Sequence, residues 1–400
     1  MTKISRTTDM TQGSEMRHII MFSLPLLAGN LLQQTYNIVD TMVVGRYLGD
    51  DALAAVGATG SITYLFYTLC IGLSVGAGII VAQYFGAGKK KALRSAVFNS
   101  ALVTAIFGIV ISLLSVPAAR PILELLKVPD KLIGDSVAYM QIACGGTIAV
   151  AAYNWINAIM RALGDSKTPL IFLGAASLLN ALLDLLFVVV FKFGIAGAAW
   201  ATVLTQALSA ISCIVYCFAV SGEIKLTADD LHADKDMMSR CVKTGVPIAI
   251  QNGLISVSMV ALQRVTNGFG ETVMAAYTVS MRIEQFVQQP FSSLNAAVST
   301  FTGQNIGAGK EKRAQKGLAC AIKISVIFSA VVLVLFTLFG GAITSWFVNG
   351  KTVISISAKA LIITSLFYWS LGIIHTTRGF LNGAGDTNYA LVNGMAEVIC

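Results

Sequence analysis

The chain has 400 residues, of which 56% are hydrophobic and only 12% are charged, and its mean hydropathy is +0.74. Soluble globular domains carry about 25% charged residues, so this composition excludes a soluble enzyme or binding domain and predicts an all-α polytopic membrane protein. The net charge of +8 does not indicate nucleic-acid binding, because the basic residues lie in short loops between apolar runs, where they orient a membrane protein.

Ten long apolar runs follow one another along the chain, and an eleventh begins near residue 387. A bilayer crossing needs about 20 mostly apolar residues, so each complete run predicts one membrane span. The polar stretch from Ser221 to Arg240 predicts a linker between the sixth and seventh runs. The runs lie at about 19–44, 52–84, 95–118, 132–159, 169–191, 194–220, 242–266, 272–303, 317–348 and 353–377.

The sequence repeats itself at an offset of 221 residues. The segment from Gln83 to Lys89, which contains Gly-Ala-Gly-Lys, recurs from Gln304 to Lys310. Gly-Asp-Ser at 164–166 matches Gly-Asp-Thr at 385–387, and Gly-Asp at 49–50 matches Gly-Glu at 270–271. Three matches at one offset indicate an internal duplication.

The duplication predicts two six-helix lobes. Six is an even number of spans, so both copies enter the membrane in the same direction and a pseudo-two-fold axis along the membrane normal relates them. We assign the first lobe to residues 1–221, the linker to 222–240 and the second lobe to 241–400. Twelve spans are expected and about 10.5 are present, so we expect about 40 further residues of the second lobe beyond Cys400.

The distribution of basic residues predicts the orientation. Loops on the same side as the N-terminus carry most of the 28 lysines and arginines, and such loops stay in the cytoplasm. The sequence therefore predicts a multi-pass protein of the cytoplasmic (inner) membrane with a cytoplasmic N-terminus and cytoplasmic Gly-Ala-Gly-Lys loops. We expect it to be a monomer.

The fifth run contains a single ionisable residue, Asp184. Asn180 and Ser177 precede it by four and seven residues, so the three side chains share one helix face. A carboxylate at membrane depth costs roughly 2.5–3.5 kcal/mol or more, and such groups usually line an ion or substrate pathway. The alternative is a buried hydrogen bond between two helices.

Asp40 is a second carboxylate within a span. Gln33, Tyr36 and Asn37 precede it at helical spacing and give the first span a polar stripe, which indicates a neighbouring water-filled cavity. Thr202 begins a similar stripe in the sixth span, for which hydrogen bonds back to its own helix are the alternative.

Measured along the helices, both carboxylates and Thr202 fall in the outer half of the bilayer. We therefore expect them to meet with Asn180 inside the first lobe. Two carboxylates in a low-dielectric site cannot easily both stay ionised alone, so one should bind a proton or both should hold a cation. Oxygen ligands suit a hard cation such as Na⁺, and no other metal is expected.

Further side chains are candidates for a substrate cavity. Aromatic rings and methionines could line a cavity for cationic aromatic ligands, although ordinary packing is the alternative for any one of them. In the second lobe Glu284 and Gln288 share a helix face, and a structural ion pair is the alternative role for this carboxylate. The predicted cavity residues are Gln33, Tyr36, Asn37, Tyr64, Tyr67, Gln251, Met259, Glu284, Gln288 and Glu397.

The remaining motifs do not indicate an enzyme or a nucleotide-binding protein. The Gly-Ala-Gly-Lys loops resemble the end of a phosphate-binding loop, but the first glycine of that motif is replaced by Gln83 or Gln304, and neither lysine is followed by Ser or Thr. The three histidines stand alone and form no catalytic or metal-binding set. We expect no cofactor other than a coupling ion.

The sequence resembles the multidrug and toxic compound extrusion (MATE) family over residues 17–400. The family fold, twelve helices in two six-helix lobes, agrees with the duplication. The resemblance is carried by the proline-containing first span with Asp40, by residues 83–89, 160–169 and 180–184, and by the repeats in the second half.

This resemblance implies export of organic cations, dyes and drugs in exchange for Na⁺ or H⁺. It also implies a cation site in the first lobe formed by Asp40, Asn180, Asp184 and Thr202, together with Asn157. Some members use an acidic residue in the seventh span, where this chain has Gln251 and no carboxylate.

We expect secondary antiport by alternating access between the lobes. The alternative is a lipid-linked oligosaccharide flippase of the same superfamily, but its cleft for pyrophosphate-linked sugars should be markedly cationic. Arg282 is the main basic residue within the second-lobe spans, and it lies beside Glu284. A membrane-embedded enzyme would need a nucleophile with its base or a metal cluster at membrane depth.

Overall fold

The computed structural model describes residues 7–220 and 222–399, apart from the side chains at 223, 228, 257, 259–261, 263, 264, 267 and 396–399. The predicted cavity residues Met259 and Glu397 therefore lie outside the described side chains. The described residues form helices joined by turns, with no strand among them. Its helices are α1 (Glu15–Leu48), α2 (Asp50–Gly86), α3 (Lys90–Leu125), α4 (Asp130–Gly145), α5 (Thr147–Ala162), α6 (Lys167–Asp184) with a π-helical extension (Leu185–Val190), α7 (Ile195–Val220), α8 (Lys235–Asn267), α9 (Glu271–Gly307), α10 (Glu311–Ser345), α11 (Lys351–Ser365), α12 (Tyr368–Ala384) and α13 (Thr387–Ile399).

Five of the described helices are long and apolar enough to cross a membrane by length and composition, or seven if each of two bent pairs counts as one span. The helices α1, α8 and α9 are at least 33 residues long but less apolar. They pack across the boundary between the lobes, α1 on α9 and α8 on α2. The contact between α1 and α9 includes a 3.1 Å hydrogen bond from Asn30 Nδ2 to Ser293 Oγ, and α8 approaches α2 through Gly245 and Ala249.

The fourth and tenth apolar runs, each read as one straight span, are bent. The axis of α5 is bent by 43° from that of α4, and the axis of α12 is bent by 51° from that of α11. In the first bend, a Cβ atom on Gly146 would overlap Val203 of α7. The missing side chain therefore lets α7 approach the bend.

The predicted duplication is confirmed at atomic detail. Ser136 Oγ donates to the Ala55 carbonyl at 3.3 Å, and its equivalent Ser357 donates to Ala276 at 2.9 Å. Three pairs of turns are equivalent as well, because glycines with positive φ recur 221 residues apart. Residues with a Cβ atom are strained at positive φ, so these positions favour glycine. These glycines are Gly49 and Gly270, Gly88 and Gly309, and Gly164 and Gly385. The first lobe comprises α1–α7, and the second comprises α8–α13.

The two lobes meet most closely where α2 crosses α9, near the ends of both helices. A Cβ atom on Gly86 would overlap the Gln304 carbonyl, and one on Gly307 would overlap the equivalent Gln83 carbonyl. Only glycine permits this approach, which lies on the pseudo-two-fold axis. We call this end of the molecule, defined by Gly86 and Gly307, the closed end.

Two glutamine side chains tie the lobes together at the closed end. Gln83 Nε2 donates to the Gly383 carbonyl of α12 at 3.1 Å. Its equivalent, Gln304 Nε2, donates to the Ala162 carbonyl of α5 at 2.9 Å. Each bond crosses from one lobe to the other, so separation of the lobes at this end must break both.

The linker is shorter than the polar stretch suggests. The last six residues of the predicted segment, 235–240, belong to α8, which Asp234 caps by accepting from the backbone N–H groups of 236 and 237. Within the linker, Thr227 donates two hydrogen bonds to Asp230, and Arg94 lies 3.3 Å away. These donors lower the pKa of the Asp230 carboxyl, and the ion pair with Arg94 attaches the linker to α3.

Candidate functional site

A cavity of about 410 Å³ lies inside the first lobe. Residues of α1, α2, α4, α5, α6 and α7 form its wall. Five predicted cavity residues (Gln33, Tyr36, Asn37, Tyr64 and Tyr67) and three predicted ion-site residues (Asp40, Asn157 and Thr202) line it. The sequence therefore brings these side chains to one place, although they come from four different helices.

The carboxyl groups of Asp40 on α1 and Asp184 at the end of α6 lie side by side. Asp184 is fully buried, and Oδ1 of Asp40 is buried as well. No group in the described part of the chain donates a hydrogen bond to either carboxyl oxygen of Asp184 or to Oδ1 of Asp40. Two buried carboxylates without donors are costly, so the pair requires a proton or a cation.

Uncharged polar side chains lie near the carboxyl pair. Asn180, one turn before Asp184, is 1% exposed, and neither atom of its amide has a described hydrogen-bond partner. The hydroxyl groups of Tyr36 and Thr202, which also line the cavity, lie 3.4 Å apart. Immediately after Asp184 the helix widens into the π-helical turn Leu185–Val190, a feature common at functional sites.

Chemically, this set of side chains fits a small hard cation or a proton. It offers two carboxyl groups, an amide oxygen and a hydroxyl, all of them oxygen donors of the type that Na⁺ prefers. Among the described residues there is no cluster of three or more His, Cys, Asp or Glu side chains that could hold a transition metal.

The sequence prediction missed several residues of the cavity wall. Tyr139 on α4 and Tyr153, Asn154 and Arg161 on α5 also line the cavity. With Tyr36, Tyr64 and Tyr67, the cavity has five tyrosines, whose rings suit aromatic and cationic ligands. The sequence of α5 does contain a pattern that indicates these residues, because positions 150, 153, 154, 157 and 161 recur at helical spacing along one face.

The predicted cavity residues of the second lobe lie elsewhere. Gln251 is 1% exposed, and its amide donates to the Ala390 carbonyl at 2.6 Å, so it attaches α13 to α8 and does not line the cavity. Glu284 lies against the hydroxyl groups of Thr364 and Tyr368 on α11 and α12. Gln288, one turn further along α9, also lies outside the first-lobe cavity. Both belong to the other half of the duplicated chain, whereas one lobe alone encloses the cavity.

Comparison with known proteins agrees with this architecture. The chain matches the MatE family model over residues 25–186 and 247–399. The probable multidrug resistance protein YoeA of Bacillus subtilis is 31% identical over 393 residues, which cover 96% of this chain and 85% of that protein. The probable multidrug resistance protein YpnP of the same organism is 29% identical over 386 residues, covering 96% of this chain and 86% of that protein.

The fold has a counterpart among solved structures. A crystal structure described as MATE in the straight conformation superposes with a TM-score of 0.90, at 24% identity, and covers 96% of this chain and 87% of that one. The family match, the duplicated lobes and the apolar helices all agree. The chain belongs to the MATE family of multidrug efflux transporters and is a multi-pass membrane protein.

Proposed function

We propose that the protein exports organic cations and drugs from the cytoplasm in exchange for H⁺ or Na⁺. The two lobes, with the boundaries 1–221 and 241–400 predicted from the repeat, move as units about the linker. The protein acts as a monomer in the cytoplasmic (inner) membrane, and the closed end faces the cytoplasm.

The observation that carries this proposal is the carboxyl pair of Asp40 and Asp184 beside the cavity. Three of the four carboxyl oxygens of the pair, both of Asp184 and Oδ1 of Asp40, are buried without a described donor, so the energy of the pair depends strongly on whether a proton or cation is present. Tyr36 on the cavity wall is one helical turn from Asp40. A change in the occupancy of the pair therefore acts directly on the wall that contacts a substrate.

Antiport requires that the ion and the substrate favour different states. A ligand shifts a conformational equilibrium only by its difference in affinity for the two states. We propose that the ion loads the pair from the outside and favours substrate release. The lobes then separate at the closed end, and the ion leaves to the cytoplasm as the next substrate binds.

The flippase alternative is less well supported. The relatives compared above are named as multidrug resistance proteins. A pyrophosphate-linked sugar would also have to enter a cavity lined by the Asp40 carboxyl group, with Asp184 directly behind it, and like charges there repel.

The test is transport by purified protein in sealed vesicles with an imposed Na⁺ or H⁺ gradient and a panel of cationic dyes. We expect dye movement against its gradient that stops when the driving gradient is collapsed by the matching ionophore. Vesicles that carry the Asp40→Asn/Asp184→Asn double variant are the control. Transport at the same rate without any ion gradient would contradict antiport.

A further inference from the structure

Arg161 lies at the inner end of the first-lobe cavity, near the closed end. It is the second-last residue of α5, and the carbonyl of its neighbour Ala162 accepts the interlobe bond from Gln304. The cavity wall on α1 extends from Pro25 to Asp40, about 22 Å of helix. Arg161 lies just before the start of α6, whereas Asp40 lies beside Asp184 at the end of α6, so Arg161 and Asp40 are at different ends of the cavity.

The Arg161 guanidinium has no hydrogen-bond or ion-pair partner within the described part of the chain. The carboxylate closest to it in sequence is Asp165, which already accepts from Lys167 N, Thr168 N and Thr168 Oγ1 at 3.1, 2.9 and 2.6 Å. Arg161 lines this cavity and also the smaller space between the lobes, and its guanidinium, a permanent cation with five N–H donors, has no described acceptor in either.

We infer that Arg161 is a specificity-determining residue that binds an acidic group, a carboxylate or phosphate, on the substrate. This inference rests on the proposed use of the cavity for substrates. The cavity suits aromatic molecules whose acidic group binds Arg161 while their cationic part lies among the tyrosine rings of the wall. A guanidinium binds carboxylate and phosphate oxygens through two parallel hydrogen bonds, which a lysine cannot reproduce.

The test compares two ligands that differ only in the acidic group. Ciprofloxacin has a piperazinium cation and a free carboxylate, and its ethyl ester keeps the cation but lacks the acid. We expect wild-type protein to bind the acid more tightly than the ester in equilibrium fluorescence titrations. Arg161→Gln should lower this acid-to-ester affinity ratio about tenfold, as expected for one charged hydrogen bond.

Two further variants make the result specific. Arg161→Lys should keep part of the ratio, because the charge remains but the fork geometry is lost. Lys167 is a neighbouring cationic residue that does not line the cavity, so Lys167→Gln should leave the acid-to-ester affinity ratio unchanged. An Arg161→Gln protein with the wild-type ratio would overturn the inference. Because no ion gradient is used, this outcome is independent of whether antiport occurs.

A second inference rests on separate contacts, those of residues 8–13, which we call the N-terminal strap. In the first lobe Thr8 N donates to the Leu163 carbonyl at 3.2 Å, and the Thr8 backbone lies directly on Gly164. In the second lobe Met10 N donates to Gln304 Oε1 at 2.9 Å. The strap therefore connects the lobes across the closed end.

The second lobe holds the strap firmly. Arg313 donates to the carbonyls of Met10 and Gln12 through Nη2, at 3.2 and 2.9 Å, and pairs with Glu15 at 3.1 Å. The Met10 side chain is 1% exposed and packs among apolar residues of α1, α9 and α10. We propose that the strap is a lock that must release before the lobes separate at this end.

The test measures the distance across the closed end by pulsed electron paramagnetic resonance. Spin labels replace Lys91 and Lys312, equivalent exposed residues near the starts of α3 and α10. Met10→Asp should raise the population of a longer distance about fivefold, because a buried carboxylate destabilises the docked strap. Met16→Asp makes the same change at an exposed position and should have no effect.

Arg313→Gln provides a variant that adds no charge to the core. It removes the donors to Met10 and Gln12, so it should shift the distance in the same direction. Distance distributions identical to wild type in both folded variants would overturn the lock.

Discussion

Asp184→Asn is expected to abolish ion-driven efflux while the protein remains folded and inserted. The amide has nearly the shape of the carboxyl group but cannot take up a proton or balance a cation. Replacement of a buried group that lacks hydrogen-bond donors removes a source of instability, so the melting temperature should stay the same or rise, by an amount equivalent to about 1–4 kcal/mol at most. Dye efflux in sealed vesicles measures the transport activity, and a thermal melt of the same preparation measures the melting temperature.

Asp40→Asn should behave in the same way, because the two carboxyl groups lie side by side. Asp130→Asn, at an exposed acidic residue of the first lobe, is the matched control and should transport normally. Normal gradient-driven efflux by Asp184→Asn would contradict the assignment of the ion site. A large fall in melting temperature would instead indicate a structural role for the carboxylate.

Gly86→Ala is expected to disrupt the crossing of α2 and α9. The new methyl group would overlap the Gln304 backbone carbonyl, which cannot move without the whole of α9. Overpacking of this kind costs about 1–3 kcal/mol, and separation of the lobes at the closed end relieves it. We expect a lower melting temperature and a longer distance between labels at 91 and 312. Gly307→Ala should give the same result through Gln83.

Gly60→Ala provides the control on the same helix. No atom lies within 4 Å of a Cβ atom built there, so alanine should be neutral or stabilise by about 0.5–1 kcal/mol through its higher helix propensity. Equal effects of Gly60→Ala and Gly86→Ala would show that helix propensity, not the crossing, determines the outcome.

Much of the architecture could be predicted from the sequence. The offset of 221 residues predicted the equivalence of the lobes, because three turns of each lobe have a glycine with positive φ and these glycines recur in the sequence. The cluster of Asp40 and Asp184 followed from helix depth, since each helical residue advances about 1.5 Å along the span.

The rest depends on contacts that periodicity does not encode. The bends at Gly146 and near Phe367 lie inside continuous apolar runs, so hydropathy alone gives one straight span. A polar residue in a span, such as Gln251, predicts a water-lined cavity, but here the amide donates to a backbone carbonyl of another helix. Arg161 belongs to the segment 160–169 that carries the family resemblance, but its lack of an acceptor is visible only once its neighbours are placed.

The most direct measurement is the exchange of bound ions against substrate in purified protein. In weakly buffered detergent solution with a pH indicator, and in parallel with a sodium electrode, addition of a cationic dye should release H⁺ or Na⁺ from wild-type protein. The Asp40→Asn/Asp184→Asn double variant should release neither. Equal ion release from the double variant, or dye binding to wild type without any ion release, would contradict an ion site at the carboxyl pair.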